Sequence, residues 1–109
     1  MEKLKVYISG PITDNPHFKE DFAEAEEILN AFGFEVVNPA KEQHENWTEA
    51  DYMKKDIKQL LDCDAIYLIK GFEKSKGAML ELRISKALKM KWVTENMEIF
   101  SEFPFRLND

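Results

Sequence analysis

The sequence feature that most constrains the fold is a run of five apolar residues, AIYLI, at positions 65–69. A strand that is apolar at every position is normally covered on both faces, which is typical of the centre of a parallel sheet. Two strand-like segments precede this run, LKVYIS at 4–9 and FEVV at 34–37, and a fourth, KWVT at 91–94, follows it. Because parallel strands need long crossover connections, we expect helices in the intervals between them.

The three intervals do carry helical signals. Apolar residues recur at spacings of four and three between positions 17 and 32, and Gly33 follows them as a helix-ending glycine. Thr48, with Asp51 three residues later, predicts the start of a second helix. A third helix is expected from about residue 77 to residue 89. The alternation predicts an α/β fold, a small Rossmann-like or flavodoxin-like three-layer sandwich with a four- to five-stranded parallel sheet.

The length of 109 residues fits one domain. We assign residues 4–94 to this domain and treat residues 95–109 as a C-terminal tail without a clear period. The tail carries Phe100, Phe103 and Phe105, which would form an apolar patch that soluble monomers seldom expose. The tail is therefore expected either to fold back over its own sheet or to lie at a subunit interface.

Composition excludes several classes of function. The chain has 21 acidic and 15 basic residues and a net charge of −6, whereas nucleic-acid polymers and anionic membranes require a concentrated basic face. No apolar stretch approaches the length of a membrane span, and the start MEKLKVYISG is too polar for a secretory signal. The single cysteine, Cys63, lies in an apolar run and cannot form an internal disulfide. These features favour a reducing, cytoplasmic compartment.

The sequence predicts neither a metal nor a cofactor. His17 and His44 have no cysteine or histidine partner at ligand spacing, which argues against a zinc site. The chain contains neither a Gly-x-Gly-x-x-Gly motif nor a P-loop. Cys63 has no histidine positioned to activate it, so thiol catalysis is not predicted either.

Ligands of open parallel sheets bind outside the carboxyl ends of the strands. The candidates at these ends are Ser9, Gly10, Pro11, Ile12 and Thr13 after the first strand, Asn38 and Pro39 after the second, and the 70–77 loop, which includes Ser75 and Gly77, after the third.

Glu81 lies in the apolar run of the third helix, where a carboxylate is costly unless something pairs with it or uses it. Counted from Gly77, it is expected on the first helical turn, where the helix dipole alone would also favour an acid. Asp56 lies at the edge of the apolar stripe of the second helix and could equally be a solvated helix residue. Tyr7 could equally be a strand aromatic. The pattern by itself leaves both interpretations of these three residues open.

Three segments together resemble the nucleoside 2-deoxyribosyltransferase superfamily, and within it a small, mostly uncharacterised branch found in phages and bacteria. The segments are KVYISGPI, FEVVNPA and DYMKKDIKQLLDCDAIYLIKGFEKSKGAMLELRISKAL. The resemblance covers about residues 4–94. It depends on a joint pattern, a strand tyrosine, a loop glycine, D-x-x-x-L-x-x-C-D and S-x-G-x-x-x-E-L, which is far more specific than any part alone.

The resemblance implies roles for individual residues. Glu81 falls on the family's nucleophile, which attacks C1′ of the sugar. Asp56 matches the aspartate that assists protonation of the departing base, and Tyr7 matches the tyrosine that orients the nucleophile. Ser75 falls where nucleotide-hydrolysing relatives hold the 5′-phosphate. Thr13 stands where those relatives carry an arginine, so both nucleosides and nucleotides remain open as substrates.

The resemblance therefore implies an enzyme, a deoxyribosyltransferase or hydrolase, that acts on the N-glycosidic bond of a (deoxy)nucleoside or nucleotide. The chemistry is consistent, because a carboxylate can stabilise or capture an oxocarbenium-like centre while a second acid protonates the leaving base. Family members are homo-oligomers, and in several a neighbouring subunit completes the active site, so a homodimer or higher homo-oligomer is expected. Two alternatives are a non-catalytic module that binds a nucleotide or ADP-ribose-type ligand and a structural, partner-binding phage protein.

Overall fold

The structure is a computed structural model, and it describes residues 3–103. These residues form one mixed sheet with the strand order β2-β1-β3-β4-β5 and three α-helices. The strands are β1 (Lys5–Ser9), β2 (Glu35–Val37), β3 (Ala65–Leu68), β4 (Lys91–Val93) and β5 (Ile99–Phe100). The helices are α1 (Phe18–Ala31), α2 (Glu49–Leu61) and α3 (Lys76–Ala87), and short 3₁₀ turns occur at Pro39–Lys41 and Phe72–Lys74. The predicted α/β sandwich is confirmed.

The fifth strand departs from the prediction of a wholly parallel sheet. β1 pairs in parallel with β2 and β3, and β3 pairs in parallel with β4, but β5 runs antiparallel to β4. The chain reverses between them in a tight turn, in which the Thr94 hydroxyl accepts hydrogen bonds from the amides of Asn96 and Glu98. A strand of two residues is too short to show a period, which is why the sequence pattern did not reveal it.

The predicted start of the second helix is confirmed in detail. The Thr48 hydroxyl accepts a hydrogen bond from the Asp51 amide at 3.2 Å, and the Asp51 carboxylate accepts one from the Thr48 amide at 2.9 Å. This reciprocal capping box satisfies two backbone donors that would otherwise lack partners at the helix start. It therefore fixes where α2 begins, and with it the position of Asp56 two turns further on.

The sheet divides the core into two halves. The half on the α1 side is built mainly from Val6, Ile8, Phe22, Leu29, Tyr67 and Val93. The half on the side of α2 and α3 is built mainly from Tyr7, Leu60, Ile66, Leu68 and Leu82. Because side chains alternate along a strand, Tyr7 and Ser9 of β1 both face α2 and α3. This side of the sheet carries the candidate site.

Part of the tail folds back on its own sheet. The rings of Phe100 and Phe103 lie 6.0 and 5.8 Å from the Trp92 ring of β4, measured between centroids. Phe105 lies outside the described residues. Ile99 of β5 remains 50% exposed, so an apolar surface persists at this edge of the sheet. The expected location of the tail at a subunit interface stays a prediction.

We predict a homodimer or a larger even-numbered assembly, because a chain of this length buries a limited share of its surface by itself. Light scattering at micromolar concentration measures the assembly. Ile99→Lys places a charge on the exposed edge and is expected to weaken it. Ile28→Lys, which changes an isoleucine of α1 that is 38% exposed, is the matched control.

A monomeric wild-type chain would contradict the predicted assembly. An unchanged assembly in Ile99→Lys would exclude the tail from the interface.

Candidate active site

Glu81 lies in the second turn of α3, not in the first as predicted. The Ser75 hydroxyl accepts a hydrogen bond from the Ala78 amide at 3.2 Å, so the helix begins at Lys76 and Glu81 is its sixth residue. The dipole effect falls off within the first turn and therefore does not account for an acid at this position. Glu81 is only 6% exposed. A charged side chain at this depth requires partners.

Two hydroxyl groups of β1 supply those partners. The Tyr7 hydroxyl donates to Oε2 of Glu81 at 2.5 Å, and the Ser9 hydroxyl donates to Oε1 at 2.7 Å. Tyr7 and Ser9 are two residues apart on one strand and are 0% and 1% exposed. Sequence analysis placed Ser9 among the substrate-binding residues, whereas the structure directs its hydroxyl at Glu81. The strand spacing of Tyr7 and Ser9 was the signal that could have revealed this.

The helix backbone at Glu81 is also anchored. The Ser85 hydroxyl, in a side chain that is 0% exposed, donates to the Glu81 carbonyl at 2.8 Å. A serine that bonds the carbonyl four residues earlier is a local helix contact and leaves the carboxylate untouched. Sequence analysis did not single out Ser85.

Burial raises the pKa of Glu81 from its ordinary value of 4.5 to about 7. The hydrogen bonds from Tyr7 and Ser9 lower this pKa, and the charge of Asp56 raises it. Burial together with the neighbouring Glu81 charge raises the pKa of Tyr7 well above its usual range, so Tyr7 keeps its proton and remains a donor. Near neutral pH, Glu81 therefore exists both as carboxylate and as carboxylic acid.

Asp56 of α2 belongs to the same electrostatic environment, because its charge acts on both Glu81 and Tyr7. Its side chain is 14% exposed, and Oδ1 lies 3.5 Å from the Lys55 ammonium. Oδ1 is buried without a hydrogen-bond partner among residues 3–103. Burial raises the pKa of Asp56 even though Lys55 opposes the effect. An acid of this kind retains its proton to higher pH than an exposed aspartate.

The loop after β1 is fixed by close packing. A Cβ at Gly10 would fall 2.8 Å from Cβ of Ile69, so only glycine allows this approach to the end of β3. Pro11 packs beside Gly71, and Ile12 packs partly against the core on the α1 side. These contacts give Gly10, Pro11 and Ile12 structural functions, while their predicted part in substrate binding stays a prediction.

Asn38 and Pro39 follow β2, but the structure does not bring the Asn38 side chain to Glu81. Asn38 Oδ1 accepts from the Ala40 amide at 2.9 Å, and its Nδ2 donates to Glu26 at 3.0 Å. Asn38 and Glu26 help to line a separate groove of about 180 Å³ beside α1. The Pro39 carbonyl accepts from Lys55 at 3.0 Å and so connects this turn to the neighbour of Asp56. The hydrogen bonds of the Asn38 side chain thus go to Glu26 and Ala40 and not to Glu81. The predicted part of Asn38 in substrate binding stays a prediction.

Ser75 and Gly77 lie where α2 approaches the start of α3. The Ser75 hydroxyl caps α3, as described above. A Cβ at Gly77 would come within 3.2 Å of the Met53 methyl group. Thr13, across the same end of the sheet, donates to Glu49 at the start of α2 over 3.4 Å.

An aromatic cluster precedes the buried part of α2, and sequence analysis missed it. The His44 and Trp47 rings stack with centroids 3.8 Å apart, and the Tyr52 ring meets Trp47 edge-on at 5.1 Å. Trp47 is 37% exposed. Tyr52 and Asp56 are four residues apart and share one face of α2. The signal available in the sequence was that all three aromatic residues lie within four positions of Thr48, the predicted start of the second helix.

Within residues 3–103, no group of three or more metal-ligating side chains is positioned to hold an ion. In the same range, no helix has the length and apolar character needed to cross a membrane.

The fold and the site define a Rossmann-like α/β domain with a mostly parallel sheet, in which a buried glutamate of α3 accepts hydrogen bonds from two hydroxyl groups of the first strand. Residues 4–94 match the family model described as "Domain of unknown function (DUF4406)", and the chain belongs to that family. A search of curated proteins finds no match.

Among solved structures, the chain is similar to the 2-deoxyribosyltransferase from the psychrotolerant bacterium Bacillus psychrosaccharolyticus. The TM-score is 0.62 and the identity is 21%, over 83% of this chain and 70% of that chain. That enzyme is described as a biocatalyst for the synthesis of antiviral and antitumoral nucleosides. The similarity confirms the expected fold relationship to a deoxyribosyltransferase.

The raised pKa of Glu81 predicts a pH-dependent cost of keeping it buried. Below pH 4.5 the residue is protonated in both the folded and the unfolded chain, and between 4.5 and about 7 the folded chain binds the extra proton. The free energy of unfolding therefore falls as pH rises through this window. Glu81→Gln lacks this titration, so its stability relative to wild type should rise by about 2–3 kcal/mol between pH 5 and pH 8.

Urea denaturation of both proteins at pH 5 and pH 8 measures this change. Glu27→Gln, on the exposed side of α1, is the control and should show no such pH-dependent difference. A constant difference between Glu81→Gln and wild type at the two pH values would contradict the assignment of a raised pKa to Glu81.

Proposed function

We propose that this chain is an enzyme that cleaves or transfers at the N-glycosidic bond of a (deoxy)nucleoside or nucleotide, with Glu81 as the nucleophile. The observation that carries the proposal is the buried Glu81 carboxylate, held at both oxygens by hydroxyl groups of β1. A carboxylate buried at this depth is costly for stability, and carboxyl groups with strongly shifted pKa values cluster at functional sites. The likeness of the fold to a 2-deoxyribosyltransferase supports the same chemistry.

In the first step, an oxygen of the ionised Glu81 forms a bond to C1′ as the bond from C1′ to the base nitrogen breaks. The electron pair of the broken bond goes to the base, and Asp56 transfers its proton to the base. Burial raises the pKa of Asp56, which is the direction that proton donation requires. Tyr7 keeps the carboxylate in its attacking orientation throughout.

In the second step, water or another base attacks C1′ and releases Glu81 as a carboxylate. Asp56 takes up the proton that the incoming group loses. Two displacements at C1′ retain the configuration of the sugar, as in retaining glycosidases. Water as acceptor makes the chain a hydrolase and a second base makes it a transferase. Assays with and without added free base distinguish the two.

The proposed substrate is a small molecule and not a nucleic-acid polymer, in keeping with the net charge of −6. The half-exposed aromatic cluster next to Asp56 is the kind of surface on which a nucleobase can stack. Ser75, at the start of α3, remains the proposed position for a 5′-phosphate. Thr13 stands where nucleotide-hydrolysing relatives carry a phosphate-binding arginine, so the requirement for a phosphate stays open. The panel that tests the function therefore includes both nucleosides and monophosphates.

We predict that Glu81→Ala and Glu81→Gln abolish base release and leave the fold intact, because both remove the nucleophilic carboxylate while the core around it remains. The measurement is chromatography of free base after incubation with a panel of deoxynucleosides, ribonucleosides and their monophosphates. Glu27→Gln, a glutamate on the exposed side of α1, is the matched control and should retain wild-type activity. Activity in Glu81→Ala within a few-fold of wild type would overturn the assignment.

If wild type binds a member of the panel without releasing base, the chain is instead a ligand-binding module on this fold. Calorimetry with the same panel reports that outcome.

We predict that Asp56→Asn slows kcat by about 10²–10⁴, the usual effect of losing a general acid. The loss should be smaller for substrates whose base departs without protonation, since those reactions need no proton donor. Asp62→Asn, an exposed aspartate at the far end of α2, is the matched control. Equal losses for good and poor leaving groups would show that Asp56 positions the substrate and transfers no proton.

A further inference from the structure

We propose that Ser9 is a positioning residue for Glu81 whose hydroxyl fixes one carboxylate oxygen and favours the ionised form that attacks the sugar. The inference rests on the proposed function for its catalytic meaning, but the physical effect of Ser9 on Glu81 is measurable without any substrate.

The hydroxyl groups of Tyr7 and Ser9 donate to different oxygens of the Glu81 carboxylate. Ser9 donates to Oε1 at 2.7 Å and Tyr7 donates to Oε2 at 2.5 Å, so rotation of the carboxyl group would break both hydrogen bonds. Two donated hydrogen bonds favour the carboxylate over the acid. If Glu81 were protonated, the hydroxyl group facing the protonated oxygen would have to turn and accept that proton, and only one donated hydrogen bond would remain.

The backbone of Ser9 is held so that its hydroxyl has little freedom. Its carbonyl accepts a hydrogen bond from the Ile69 amide at 2.8 Å, and the next residue, Gly10, is packed against the Ile69 side chain. Ser9 is 1% exposed, so no water competes for its hydroxyl at the surface. A rigidly placed donor loses little entropy when it binds and holds its acceptor in a defined orientation.

The hydrogen bond from Ser9 counteracts the surroundings of Glu81, which disfavour its ionised form. The titratable groups that act on Glu81 are Tyr7 from β1 and Asp56 from α2, with the Lys55 ammonium beside Asp56. Burial and the Asp56 charge raise the pKa of Glu81, whereas the hydrogen bonds from Tyr7 and Ser9 lower it. Removing the Ser9 hydroxyl leaves Tyr7 as the sole donor among these groups.

The test is a ¹³C NMR titration of the Glu81 carboxyl carbon in the full chain, assigned by its loss in Glu81→Gln. In Ser9→Ala the pKa of Glu81 should rise by about one unit, the size expected for one lost hydrogen bond to a carboxylate. Ser85→Ala is a closely matched control, because Ser85 is also a buried serine bonded to Glu81, but through the backbone carbonyl. Its titration curve should coincide with that of wild type.

Activity gives the catalytic readout. In Ser9→Ala the acid limb of the kcat/KM profile should move up by the same unit, so that kcat/KM falls about tenfold at pH 6 and much less at pH 9. Ser9→Cys retains a weaker donor and should raise the pKa of Glu81 by less than Ser9→Ala does. This variant is measured instead if Ser9→Ala does not fold.

An unchanged Glu81 titration in Ser9→Ala, or an equal shift in Ser85→Ala, would overturn the proposal for Ser9 and leave the proposed function standing. A raised pKa together with no base release by wild type would overturn the proposed function instead.

Discussion

The hydrogen bonds from Tyr7 and Ser9 to Glu81 connect the central part of the sheet to a buried carboxylate, and much of the surrounding structure serves to keep these groups in place. The strand supplies both donors on one face because its side chains alternate. The Ser75 cap sets where α3 begins and so where Glu81 faces the sheet. The same burial that excludes water raises the pKa of Glu81 to about 7, which places its ionisation in the neutral range. Keeping the ionised form of this carboxyl group buried therefore costs stability.

The two sides of the sheet have different character. The α1 side carries an apolar core and the groove in which Glu26 binds Asn38 and Lys41. The side of α2 and α3 brings together the acids whose pKa values are raised, Glu81 and Asp56. This separation follows from the crossovers, because the connections through α2 and α3 lie on one face and the connection through α1 lies on the other. Glu81 and Asp56 therefore lie on the same face of the sheet.

The sequence predicted the elements that depend on periodic burial, and it missed those that depend on single contacts. The apolar run at 65–69 and the Thr48 capping signal led to correct elements because many residues share each pattern. The antiparallel β5 has two residues and no period, and the turn of α3 that carries Glu81 depends on one serine cap. The hydrogen bond between Ser9 and Glu81 joins residues that are 72 positions apart, and local sequence patterns do not predict contacts at such a separation.

The proposed function requires Glu81 to form a covalent bond to C1′ of the sugar. The most direct test is mass spectrometry of the protein after incubation with 2′-deoxy-2′-fluoro nucleosides, whose electronegative fluorine slows the step that releases the sugar from the enzyme. We expect an added mass equal to one fluorinated sugar, located on the peptide that contains Glu81 and absent from Glu81→Gln. Base release by the wild-type protein with an adduct on another residue would contradict it.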